Sequence, residues 1–152
     1  MSYLPTADSH AAIYLIGTGA TALTGGAAPI KLVNYTTAAG SLHGATHTSP
    51  GRITYTEAKP TVSVGMLTCG FSFSVSATQV NFYVAANGSP QPAWAAGYYV
   101  EDGDEELSFT IIGQAEIVQN TYFELFAASS KNGNLTVHNF AMSLLEIHEH
   151  GH

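Results

Sequence analysis

The residues best equipped for chemistry stand in "EIHEHGH" (146–152), where His148, His150 and His152 alternate beside Glu146 and Glu149. Imidazole and carboxylate both bind metals, so the stretch is read first as a metal site. It is not the zinc-protease arrangement, which needs His-Glu-x-x-His on a helix. In an extended chain the three rings stand on one side at intervals of ~6.5–7 Å, too far apart for one ion to reach them all. Three chains around a three-fold axis change the count. A His-x-His from each offers six nitrogens to one ion, an octahedral set suited to iron or nickel. The bland alternative is a polar terminus with no ligand, and the expectation is no metal and no cofactor.

The other reactive residues form no catalytic group. His43 and His47 in "LHGATH" (42–47) have metal spacing on a helix, but Gly44, Gly40 and Pro50 indicate a loop. A cupin-type metal site needs a His-x-His, a following Glu and a later His, an order that His43, His47 and His138 do not give. Ser, Cys and Asp offer no nucleophile arrangement, so no catalytic residue is expected. "IGTGATA" (16–22) fits Gly-x-Gly-x-x-Ala, yet Gly25, Gly26 and Pro29 leave no room for the helix that a dinucleotide needs. "EDGDEE" (101–106) lacks the twelve-residue calcium pattern and reads as an acidic turn. Cys69 alternates with apolar residues as a core side chain does. Trp94, Tyr98 and Tyr99 cluster in "PQPAWAAGYY" (90–99), either as a glycan or protein contact patch or as packing under a loop.

Short apolar runs between turn residues must position all of these, and they predict strands. The runs are 11–16, 29–36, 51–58, 61–75, 79–88, 107–112, 120–129 and 134–147. Within 61–75, Val62, Val64 and Met66 share one parity, and Leu67, Cys69, Phe71, Phe73 and Val75 the other. That predicts a bulge at Gly65-Met66. Within 134–147, Leu135, Val137, Ala141, Leu145 and Ile147 oppose Phe140, Met142 and Leu144. Within 120–129, Phe123, Leu125 and Ala127 oppose Tyr122 and Phe126. Strands apolar on both faces need two burial surfaces, supplied either by a second copy of the chain or by a loop of the same one. Eight strands with regular turns predict an all-β sandwich, jelly roll or barrel.

Composition narrows the functions. The 152 residues make one domain with a real core. Charged residues are only 10%, against roughly 25% in an ordinary soluble domain. Neutral side chains or neighbouring subunits must therefore cover the surface. Net charge is −7, and Lys31, Arg52, Lys59 and Lys131 form no cluster, so no nucleic-acid partner is expected. One cysteine excludes an intrachain disulfide. No basic residue precedes Lys31 and no apolar run approaches ~18 residues, so neither a secretion signal nor a membrane partner is expected.

Taken in order, "GRITYTEAKPTVSVGMLTCGFSFS", "VNFYVAANGS", "VEDGDEELSFTI" and "YFELFAASSKNGNLTVHNFAMSLLEI" resemble the tumour-necrosis-factor-like jelly-roll domain of tailed-phage virion structural proteins. The resemblance rests on Gly-Arg-Ile-Thr-Tyr-Thr at 51–56, "VAANG" at 84–88 and the Gly-Asp turn at 103–104. Glu57 departs from the Gly common in the family. The resemblance implies an eight-stranded antiparallel jelly-roll sandwich, trimeric, with the sheet that holds the last strand facing the three-fold axis. The divisions expected are an arm (1–9), the jelly roll (10–147) and a His-rich tail (148–152). Tyr83, Tyr122, Phe126 and Phe140 become interface candidates by analogy. The implied function is non-enzymatic: a capsid decoration (cement) protein on the virion surface, assembled in the host cytoplasm, with a phage major capsid protein as partner. The chain shows no shaft-forming repeat or heptad, which favours a free-standing trimer. The rival is a receptor- or glycan-binding module of a tail or head fibre, using Trp94, Tyr98 and Tyr99.

Overall fold

The computed structural model describes residues 9–147. Its regular elements are all strands: β1 (His10–Gly17), β2 (Gly19–Leu23), β3 (Ile30–Lys31), β4 (Thr36–His43), β5 (Ala45–Thr46), β6 (Ile53–Tyr55), β7 (Thr61–Phe73), β8 (Thr78–Ala86), β9 (Ser89–Val100), β10 (Leu107–Ile117), β11 (Tyr122–Ser129) and β12 (Gly133–Glu146). They form two antiparallel sheets. The first runs β10-β7-β12-β1-β4, with β2 also on β12; the second runs β5-β6-β11-β8-β9, with β3 on β11. The sandwich is as expected, but the strands number twelve rather than eight.

The differences have local causes. The strand expected over 29–36 shrinks to β3: buried Leu32 still donates its N–H to Leu125 O, but Val33 N–H turns to Thr21 Oγ1 and Asn34 takes a left-handed φ of 66°, after which Tyr35 enters the core at 2% exposure. β4 forms in the presumed loop, and β2 forms among the glycines after β1. β9 begins with Pro90 and Pro92 and lies on a sheet edge. Proline is tolerated there because one side of an edge strand needs no ladder donor. The hairpin from β8 to β9 turns on Asn87 (φ 53°) and Gly88 (φ 80°), the left-handed pair that matches strand twist.

The expected bulge at Gly65-Met66 is absent. β7 pairs β10 without interruption from Thr61 to Phe71. Its odd positions all face the core, including Thr61 and Ser63, whose hydroxyls lie 3.3 Å apart and satisfy each other. Its even positions, Val62, Val64 and Met66, therefore face out. The bulge is in β12, where the register with β7 shifts between Val137 and Asn139. One extra residue inverts side-chain parity. Leu135 and Val137 before it, and Phe140 and Met142 after it, all reach the core.

Phe71, Phe82 and Phe109 centre the core, with Phe82 and Phe109 stacked at 4.0 Å and Phe71 edge-on to Phe82 at 4.7 Å. Gly113 on β10, paired with Gly65 on β7, leaves a notch. The Trp94 indole from the opposite sheet fills it, so a Cβ at Gly113 would overlap Nε1 and Cδ1.

Candidate functional site: an apolar sheet face

The uninterrupted β7 decides what the first sheet shows to the outside. Met66 pairs with Ile112 on β10 and with Ser143 on β12, and Val64 pairs with Leu145. Tyr14 on β1 pairs with Ala141. Directly opposed residues share a face. Tyr14, Val64, Met66, Ile112, Ala141 and Leu145 thus form one outward surface across four adjacent strands. Ile112 is 66% exposed, Leu145 58%, and Met66 and Tyr14 47% each. Scattered surface apolar residues need no explanation, but a contiguous patch marks a contact site. Ile16 and Ile147 extend it at 63% and 38%. The nearest charge in register is Glu116, opposite Val62 on the edge strand.

None of the four interface candidates lies on this face. Phe140 is 4% exposed and packs at 5.4 Å from Tyr35, carried inward by the β12 bulge. Tyr83, Tyr122 and Phe126 share the outward face of the other sheet, where Phe126 pairs with Tyr83. Tyr122 lies under the Arg52 guanidinium, 4.2 Å from its ring centre. The proposed aromatic patch also divides. Trp94 and Tyr98 turn inward, toward Phe123 and Phe71 respectively, while Tyr99 alone faces out at 53% exposure. Sequence alternation missed the real face because the phase change was assigned to the wrong strand. Had 61–75 been kept in the phase of its Leu67–Phe73 half, Met66 would have fallen outside.

The polar side chains hold loops. Glu124 on β11 is buried, and its Oε2 meets both Lys31 Nζ and Arg52 Nε, the latter at 3.0 Å. That ties β3 and the approach to β6 onto the second sheet. His47 sets Nδ1 2.8 Å from Arg52 O and Nε2 3.0 Å from Thr37 Oγ1, closing the segment between β4 and β6. His138, at the bulge, places Nε2 2.8 Å from Ser72 Oγ. Burial pushes the Cys69 thiol up to about 12, and Tyr35 rises as well, from burial first and then from the nearby Cys69 and Glu124. A thiol held protonated is neither nucleophile nor ligand. Among the described residues, no group of three or more His, Cys, Asp or Glu could hold a metal ion. Also among them, no helix is long and apolar enough to cross a membrane. His148, His150 and His152 lie outside the described residues, as does the arm before Ser9.

No protein-family model and no curated protein matches the chain. Solved structures do. The Eiger TNF of S. frugiperda is similar over 95% of this chain and 96% of its own, with a TM-score of 0.62 and 9% identity. Murine APRIL is similar over 91% of this chain and 99% of its own, at 0.60 and 10%. The fold is a tumour-necrosis-factor-like jelly roll. The PRD1 vertex protein P5 is similar over 94% of this chain and all of its own, at a TM-score of 0.53 and 13% identity. At these identities the likeness is one of fold. The sheet carrying the apolar face is the one that holds β12, and that is the sheet the sequence resemblance turned toward a three-fold axis.

Proposed function

We propose that the chain is a non-enzymatic bacteriophage virion structural protein, a homotrimer that seats on the capsid as a decoration protein. The apolar face of the first sheet carries the reading. Tyr14, Met66, Ile112 and Leu145 must be covered for the molecule to stay dispersed, and a rotational copy covers them in a closed assembly. The scarcity of charge fits a chain whose surface is largely spent on contacts. Likeness to a phage vertex protein supports a virion setting over a signalling one. The work of such a trimer is mechanical: it buries surface against several capsid subunits and opposes their separation. The glycan-binding alternative loses its three-residue patch, since only Tyr99 of the three faces out.

The test uses phage particles purified without this protein. Added trimer is expected to bind them and raise the temperature at which they release DNA. Binding to host cells or glycans with no uptake by such particles would replace decoration with the receptor-binding reading.

A further inference from the structure

The ladder along one edge of β12 is broken at a single place. That edge pairs with β1 as far as Ala141, opposite Tyr14, and with β2 from Val137, opposite Gly19. Between the two, residues 15–18 face residues 138–140 without pairing. β4 holds the other edge of β1 here, with Leu15 on Thr37 and Gly17 on Thr36, so the longer side bows away from β12. The gap is a cleft of about 420 Å³ lined by residues 14–18, residues 138–141 and Thr68. That size lies within the ~300–1,000 Å³ of small-molecule sites.

We infer that this cleft binds a neutral saccharide of one or two rings. No Asp, Glu, Lys or Arg lines it, so neither a phosphate nor a metal ion finds a counter-charge there. A purely apolar guest is disfavoured as well, because the broken ladder leaves backbone N–H and C=O groups along the walls. Side chains add to them. Thr18 and Asn139 are exposed, and among the described residues neither side chain has a hydrogen-bond partner. The Asn139 amide leans over Gly70, where a Cβ would come within 3.1 Å of its Nδ2. His138 is fixed next to it, with Nε2 2.8 Å from Ser72 Oγ. On the β1 side Tyr14, 47% exposed, contributes an aromatic ring. A sugar presents hydroxyls around its rim and C–H groups on its faces. Amide and hydroxyl partners beside an aromatic wall match both. The site is complete within one chain, so it stands whether or not copies assemble on the neighbouring sheet face.

Calorimetry and ligand-observed NMR on the full chain test the site. Glucose, galactose and N-acetylglucosamine serve as neutral probes, and N-acetylneuraminic acid as an acidic one. At least one neutral sugar is expected to bind at one site per chain, and the acid more weakly. Asn139→Ala and Thr18→Val, both at exposed positions, are each expected to weaken that binding at least tenfold and to melt as the wild type does. If Asn139→Ala melts early, Thr18→Val alone decides. Tyr99→Ala, on the second sheet, is expected to bind as the wild type does. Failure of all three neutral sugars to bind overturns the site. Tighter binding of the acid overturns it too, since the ligand would then be an anion. Unchanged affinity in both cleft variants, or a loss confined to Tyr99→Ala, puts the sugar elsewhere and overturns it equally.

Discussion

Cys69 and Tyr35 are protonated deep inside the sandwich, and their burial gives the protein a specific weakness. In the unfolded chain the thiol ionises near its ordinary value of 9.0, while in the folded chain burial holds it up to about 12. Tyr35 shifts in the same direction. The folded state therefore keeps protons that the unfolded state has lost, so stability is full below about pH 9 and falls as pH rises toward 12. Urea midpoints measured from pH 7 to 11 should decline above 9, and Cys69→Ser or Cys69→Ala should flatten part of that decline. A thiol reagent at pH 8 should leave the native protein unlabelled and react fully once urea is added. Cys69 was legible from its place in an alternating run. Tyr35 was not, because nothing in "KLVNYT" shows that the chain leaves the ladder and turns a ring inward against Phe140.

Strand periodicity carried the fold but not the parity of each strand, and one glycine pair shows why. Gly65 interrupts the apolar series of β7, and an interruption in one dimension looks like a bulge. In three dimensions it opposes Gly113, the glycine that admits Trp94. The sequence separates Gly65, Trp94 and Gly113 by tens of residues, so the notch cannot be read locally. Gly113→Val should force the indole out and cost about 1–3 kcal/mol in urea unfolding, with a shifted tryptophan emission. Ala93→Val, on the exposed start of β9, should stay within about 0.5 kcal/mol. The β12 bulge is equally hidden. Its presence depends on pairing with β7, and it alone decides that Phe140 is core rather than contact surface. The chain's all-β class, its antiparallel sandwich and its Asn87-Gly88 hairpin were legible, because turn residues and alternation are local. The candidate contact face was not, because it depends on which of two apolar parities wins on each strand.

For the molecule as a whole, the two sheets differ in what they offer a partner. The outer side of the second sheet is tied down by Glu124, Lys31 and Arg52, whereas the outer side of the first is apolar across β10, β7, β12 and β1. If copies meet there, a charge at its centre should separate them. Met66→Asp and Ile112→Asp, each exposed in the single chain, should leave folding intact and convert the proposed trimer to monomer by light scattering. Tyr83→Asp and Tyr122→Asp, on the other sheet, should leave the trimer in place. A wild-type monomer at tens of micromolar would remove the assembly. The position of β12 has one more consequence, and it concerns time. The strand lies in the middle of its sheet, between β7 and β1, so those two strands are joined only after residue 146 has been synthesised. A nascent chain on the ribosome holds both with an open edge until then. Closure of this sheet is thus a late event that joins the β10-β7 pair to the β1-β4 pair, and a ribosome stalled before β12 should display a chain that proteases cut more readily at β7 and β1 than they cut the completed protein.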